Sequence, residues 1–248
     1  MIILKNEYEI AIMREANRIL AHLFEHIEPM VQPGITTIEL DREAELFIRS
    51  RGARPAFKGY RDYPATLCTS VNEEVVHGIP GPRVLESGDI VSIDVGALLD
   101  GFYSDAARSF PVGVISPSAR RLLEVTRDSL EAGIAQAVPG NHLYDISAAV
   151  QKVAESGGFS VVRDFVGHGI GRSLHEAPQI PNFGRRGKGP VLQEGMTLAI
   201  EPMVNMGTHK VLIKSDGWTA VTEDSSLSAH FENSIAITKD GPLVLSAP

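Results

Sequence analysis

Four carboxylates and three histidines occupy positions from which they could act together: Asp94, Asp105, Glu201 and Glu232, with His77, His168 and His175. Ile90-Val91-Ser92-Ile93-Asp94-Val95 alternates with period two, which puts Val91, Ile93 and Val95 on one face of a strand and Asp94 on the other. Asp100-Gly101 is a strong hairpin signal, and the returning strand, about 102–110, carries Asp105. A two-residue turn pairs position 94 with 107 and 96 with 105. The two aspartates then become diagonal neighbours on one face, roughly 7–8 Å apart. Glu201 ends the apolar run Leu198-Ala199-Ile200, and Glu232 lies in a later strand expected over 229–238. The connector between those two contains its own hairpin around Asp216-Gly217.

Four converging carboxylates need neutralising. Two unit charges 4 Å apart repel by about 4 kcal/mol at an effective dielectric near 20. Protons or cations must therefore share the pocket, and two divalent ions would balance the set at a spacing of roughly 3.5–4 Å. The histidines add nitrogen donors. Val161 to Val166 reads as a strand leading into Gly167-His168-Gly169-Ile170-Gly171, then Leu174-His175-Glu176-Ala177-Pro178. Glycines on both sides of His168 permit close backbone approach. His77-Gly78 gives a third histidine a similar setting. His22, His26 and His142 fall on expected helices and His209 on a hairpin, while His230, two residues before Glu232, could face the same side.

The elements that must position these groups come in two similar sets. Residues 7–28 form an amphipathic helix, with Ile10, Met13, Ala16, Leu20, Leu23 and Ile27 at three- and four-residue steps, stopped by Pro29 and Pro33-Gly34. A second helix starts at Thr36, where Thr36 and Glu39 have capping-box spacing, and ends near Gly52. Leu122, Val125, Leu130 and Ile134 mark a third, closed by Pro139-Gly140, and a fourth runs from about Tyr144 to Glu155. Shifting by 106 lays Pro33-Gly34 on Pro139-Gly140 and Glu39-Leu40 on Asp145-Ile146. A shift of 107 lays Val91-Ser92-Ile93-Asp94 on Leu198-Ala199-Ile200-Glu201. This is an internal repeat, about 6–112 and 113–246, inside one catalytic unit spanning 1–248. If the halves pack about a pseudo-two-fold axis, each contributes two carboxylates to it.

Composition bounds the remaining possibilities. The 248 residues are 43% apolar, enough for a full core, and the formal net charge of −8 with no basic run argues against nucleic-acid binding. A single cysteine, Cys68, excludes a disulfide framework and cysteine-rich zinc modules. No apolar stretch approaches the roughly 18 residues of a membrane span, and the start is too short for a secretory signal, so a cytoplasmic protein is expected. His175-Glu176 does not open a zinc-protease HExxH helix, because position 179 is Gln179 and Pro178 breaks the helix. Cys68 reads as a buried wall residue rather than a nucleophile.

The ordered set His77, Asp94, Asp105, His168, His175, Glu201 and Glu232 resembles the signature of the type I methionine aminopeptidases. The local sequences agree, among them Cys68-Thr69-Ser70-Val71-Asn72, His77-Gly78-Ile79-Pro80, Gly167-His168-Gly169-Ile170-Gly171 and Glu201-Pro202-Met203, and the similarity runs from about residue 5 to 245. It implies an α/β (α+β) pita-bread fold: two pseudo-two-fold-related halves, a mainly antiparallel central sheet covered by helices, and a dinuclear metal site between them. By position it makes Asp94, Asp105, His168, Glu201 and Glu232 the metal ligands, with Asp105 and Glu232 bridging. His77 and His175 would contact substrate. Phe57, Tyr60, Tyr63, Cys68, Leu174 and Trp218 would line the methionine pocket.

The resemblance further implies hydrolytic removal of the initiator methionine ahead of a small second residue. Two ions would lower the pKa of water from about 15.7 towards 7, a property of two-metal hydrolases generally. Glu201 would serve as general base and His175 as donor to the oxyanion. Mixed oxygen and imidazole ligands suit Co, Mn, Fe or Zn. A monovalent cation, Na or K, is expected near Asn72 and Ser228. The expected partners are nascent polypeptide N termini at the ribosome, with neither membrane nor nucleic acid, and a monomeric enzyme is expected. Phe57, Arg61, Leu174 and His230 depart from the better-known bacterial pattern, where cysteine, histidine, phenylalanine and glutamine are common; they bear on pocket shape. A protein without the zinc-binding N-terminal extension of some relatives is expected, and the 25 residues between His175 and Glu201 leave no room for the type II insertion. The alternatives are a proline-directed peptidase of the same fold and a non-catalytic binding module.

Overall fold

The computed structural model describes residues 1–247. Helix α1 (Glu7–Ile27) is capped by Asn6, whose side chain accepts from the Glu9 amide while the Glu9 carboxylate accepts from the Asn6 amide. Helix α2 (Thr37–Ser50) follows, then strands β1 (Arg54–Pro55), β2 (Leu67–Val71), β3 (Glu74–Val76), β4 (Ile90–Leu99) and β5 (Phe102–Pro111). The helices α3 (Pro117–Ile134) and α4 (Leu143–Ser156) precede β6 (Ser160–Val161), β7 (Gly167–Gly169), β8 (Glu176–Ile180), β9 (Thr197–Ile200) and β10 (Met203–Asn205). The chain closes with β11 (Val211–Ile213), β12 (Ala220–Thr222), β13 (Ser228–His230), β14 (Glu232–Thr238) and β15 (Gly241–Val244).

Nine strands make one sheet, ordered β1-β4-β5-β14-β9-β7-β8, with β2 also on β4 and β15 on β14. Every pairing in it is antiparallel. Two three-stranded sheets, β13-β10-β6 and β11-β12-β3, complete the β-structure among the described residues. This curled antiparallel sheet under helices is the pita-bread α/β fold.

Each helix pair buries its apolar stripe against its own strands. Leu20, Leu23 and Ile27 of α1 and Leu40, Ala44 and Ile48 of α2 pack with Val91, Ile93, Val95 and Ala97 of β4. Leu122 and Leu130 of α3 and Ile146 and Val150 of α4 pack with Leu198, Ile200, Ile235 and Ile237. Each fully buried Leu, Ile or Val stabilises the fold by about 1.5–3 kcal/mol over its exposed state. Local geometry recurs as well. The Gly34 amide donates to Leu85 O at 2.9 Å and the Gly140 amide to Leu192 O at 3.0 Å, beside isolated bridges Thr36–Val84 and His142–Val191. Capping boxes Thr36–Glu39 and His142–Asp145 start α2 and α4.

Four sequence expectations need correcting. The strand expected over 161–166 is only Ser160–Val161, because charged Arg163 and Asp164 interrupt the apolar run. The strand expected over 229–238 breaks at Phe231, where the chain leaves one sheet for another: His230 pairs with Met203, but Glu232 pairs with Ala107. His142 caps α4 instead of lying within it, and His209 precedes the β11–β12 hairpin.

Candidate active site

Two cross-strand rows on one face of the sheet set out the site. Asp94 and Glu232 both pair with Ala107, from β4 and β14 respectively. Extending the Ile200–Asn233 pair by one step brings Glu201, just past the end of β9, beside Glu232. In the neighbouring row Asp105 faces Gly96 on one side. On its other side the Ser234 hydroxyl donates to the Asp105 carbonyl at 2.7 Å and accepts its amide at 3.3 Å. His168 pairs with Ala199 and enters the row from β7. Its Nδ1–H donates to Gly169 O at 2.9 Å, so Nε2 is the free nitrogen, 3.5 Å from Glu201 Oε1 and 3.8 Å from Asp105 Oδ2.

The electrostatics are those of a cation site. Buried Asp94 Oδ1, Asp105 Oδ1, Glu232 Oε1 and His230 Nε2 have no hydrogen-bond partner in the protein. Burial pushes all four carboxyls up from the usual carboxylate range. Neighbouring carboxylates push Asp105, Glu201 and Glu232 further. Burial also lowers His168 and His77 to about 4 and His230 to about 3, so these imidazoles are neutral donors of a lone pair at physiological pH. One donor atom each from Asp105, His168 and Glu232 lies within 4.8 Å of the others. Orphaned acceptors converging with a neutral imidazole fit divalent cations, which satisfy the lone pairs and the charge at once.

A pocket opens over this face. It is lined by the expected metal ligands, substrate contacts and pocket walls, Phe57, Tyr60, Tyr63, Cys68, His77, Asp94, Asp105, His168, Leu174, His175, Glu201, Trp218 and Glu232, and by Arg61, whereas His230, Asn72 and Ser228 are not part of its lining. Cys68 pairs with Asp94 across β2 and β4, and burial pushes its thiol up, which makes it a wall and a poor nucleophile. Tyr63 donates to Leu67 O and Gly78 O at 2.9 and 3.0 Å and meets Trp218 edge-on at 5.1 Å. His77 has a left-handed φ of 61° and stands edge-on to Phe165 at 5.3 Å. The backbone at Gly78 passes so close to β2 that a Cβ there would lie 2.8 Å from the Thr69 carbonyl carbon. The Tyr60 hydroxyl lies 3.0 Å from His175 Nδ1, and the two rings stack at 5.4 Å.

Sequence reasoning missed several neighbours. Phe165, the last residue but one of the 161–166 run, faces His77, and Ser234 shares the Glu232 face two residues on, a period-two signal that was available. Arg108 ties β5 to β14 behind the site, donating to Ala107 O at 2.8 Å and Asn233 Oδ1 at 2.7 Å. His230, named only as a possible neighbour, brings Nε2 to 3.8 Å from Glu201 Oε2.

Metallopeptidase family M24 matches residues 11–239. A methionine aminopeptidase from Clostridium perfringens is 57% identical over 246 residues, covering 99% of both chains. Methionine aminopeptidase 1 from Bacillus subtilis is 54% identical over 241 residues, covering 97% of each. The crystal structure of methionine aminopeptidase from Thermotoga maritima superposes with a TM-score of 0.98 at 46% identity, each chain fully covered. The chain belongs to metallopeptidase family M24.

Proposed function

We propose that this protein is a metal-dependent aminopeptidase that removes the initiator methionine from peptides and nascent proteins whose second residue is small. The observation that carries the reading is the placement of four raised-pKa carboxyls and a neutral imidazole at the base of a pocket walled by Tyr63, Cys68, Leu174 and Trp218. Relatives at this identity and coverage are methionine aminopeptidases, and they favour neither a proline-directed peptidase nor a non-catalytic module.

Asp94, Asp105, His168, Glu201 and Glu232 would hold the two divalent ions. Co, Mn, Fe and Zn all suit the set. When bound, the ions supply an activated water and polarise the scissile carbonyl at neutral pH. The protein does the rest. The apolar, sulfur-tolerant walls formed by Phe57, Tyr60, Tyr63, Cys68, Leu174 and Trp218 accept the methionine side chain. With the Tyr60 O–H as donor across its 3.0 Å contact with His175 Nδ1, the imidazole proton would sit on Nε2, the nitrogen then free to donate to the developing oxyanion. Burial holds His175 below its ordinary pKa, with nearby Arg61 adding to the effect, so the ring is kept neutral. Glu201, flanked by two imidazoles, takes a proton from the attacking water and returns it to the leaving amine. His77, held against Phe165 and Trp218, limits the bulk of the second residue.

This reading takes residues 1–248 as one catalytic unit of two related halves, working as a monomer on nascent chains at the ribosome in the cytoplasm. Among the described residues, no helix is long and apolar enough to cross a membrane. A monovalent cation, Na or K, belongs beside Asn72, whose carbonyl accepts the Ser228 amide at 2.9 Å. Hydrolysis of Met-Ala-Ser against Ala-Pro-Phe, with and without chelator, tests the function. Chelator-sensitive release of methionine is expected, and cleavage of the proline peptide alone would overturn it.

A further inference from the structure

The loop that carries His175 is joined to the start of the chain by an ion pair sealed from solvent. Lys5 Nζ contacts Glu176 Oε2, with side chains only 3% and 7% exposed. Glu176 uses its other oxygen, Oε1, to accept the Ser173 amide at 3.1 Å, closing the turn around His175. The backbone on the other side is fixed too, since the Lys5 amide donates to Gly195 O at 2.7 Å. Two glycines make room for this crossing. A Cβ on Gly171 would lie 2.7 Å from Lys5 Nζ and 2.8 Å from Glu176 Oε1, and one on Gly195 would lie 2.7 Å from Lys5 O. A second tether, Arg172 to Glu9 at 3.1 Å, is exposed on the Arg172 side and screened by water.

We propose that Lys5 and Glu176 are positioning residues for His175, their buried pair holding the 171–176 loop so that the imidazole stays against Tyr60 and beside His168. This rests on the role given to His175 above. A buried ion pair is a poor stabiliser, because desolvating both charges offsets most of their attraction, and an apolar pair of similar volume commonly does as well. What the pair supplies is a fixed geometry one residue from His175, whose ring centroid lies 4.2 Å from that of His168. Misplacing a catalytic donor by about 1 Å can cost on the order of 100-fold in rate. The exposed Arg172–Glu9 pair cannot set position to that tolerance.

The test compares the holoenzyme with Lys5→Met and with Lys5→Met/Glu176→Leu, using the divalent ion that gives the highest turnover. The double variant leaves no orphan charge and keeps the fold if the single variant does not. Expected are a fall in kcat on Met-Ala-Ser of about 10-fold or more, with KM within about 3-fold and metal content unchanged. In the zinc-loaded protein, the histidine ring ¹⁵N signal of His175 moves while that of His77 does not. Parent-level kcat with an unmoved His175 signal overturns the proposal, as does a loss of kcat matched by loss of metal or of folded protein. His175→Ala, measured alongside, separates the two readings: full activity there removes the catalytic role of His175, whereas an unmoved signal in the Lys5 variants removes the tether.

Discussion

Asp94 and Glu232 face the same residue from opposite sides: both pair with Ala107, so a single small residue separates, in the sheet register, two acids from distant parts of the chain. A larger side chain at 107 would fill the space where the two acids converge. Ala107→Leu is therefore expected to lower divalent-metal affinity at least 100-fold. Overpacking should cost about 1–3 kcal/mol of stability while leaving the fold intact. Calorimetric metal titration alongside thermal unfolding measures both; tight binding in the variant would contradict the shared-row geometry.

Without metal, the same carboxyls make stability depend on pH in an unusual direction. Burial raises Asp94 to about 7 and pushes Asp105, Glu201 and Glu232 well above their ordinary values, whereas in the unfolded chain such groups titrate near 4. The folded metal-free protein thus binds more protons than the unfolded one, and its stability is lost as pH rises through the folded values. The depressed histidines act oppositely, but only below their unfolded value near 6.5. From pH 6.5 to 8.5 the carboxyls lead, joined near the top of the window by the buried Cys68 thiol, whose pKa is also raised, so the Tm of chelator-treated protein falls with rising pH. Saturating metal, which needs deprotonated ligands, should reverse that slope.

Tyr60 and His175 separate turnover from metal loading. His175→Ala should lose turnover by about 100-fold or more, the scale of losing one oxyanion donor, with metal content retained. Tyr60→Phe removes the hydroxyl 3.0 Å from His175 Nδ1 and frees the imidazole tautomer, for an expected kcat loss of about 10-fold at unchanged metal content. Metal analysis paired with steady-state kinetics decides. An empty site in either variant would show that the ring supports the ions instead of the substrate.

Gly78 fixes His77 by close approach. A Cβ at 78 would meet the Thr69 carbonyl and displace either β2 or the His77 backbone, so Gly78→Ala should destabilise by about 1–3 kcal/mol. Because His77 borders the pocket, the ratio of kcat/KM for Met-Ala-Ser over Met-Val-Ser should change as well. An unchanged ratio in a folded variant would remove His77 from control of the second residue.

Local pattern made some of this visible in the sequence. Period-two alternation and Asp100-Gly101 fixed the β4–β5 register, so the 94–107 and 96–105 pairs could be counted in advance. Apolar steps of three and four gave the helices; the observed ends of α1, α2 and α4 differ by one or two residues, while α3 stops at Ile134, short of the expected Pro139-Gly140 stop. Long-range crossings were harder to see. Nothing local to Ala229-His230-Phe231-Glu232 marks a change of sheet, because the alternation continues through the break, which only the competing partners Met203 and Ala107 impose. Lys5 reads as an ordinary surface lysine until Gly171 and Gly195 bring two distant turns against it.

The most direct test is anomalous diffraction from crystals of the metal-loaded protein. Two peaks are predicted at the base of the pocket, within ligand distance of Asp94, Asp105, His168, Glu201 and Glu232. Peaks outside this set, or a fully active enzyme holding no ion within it, would contradict the account.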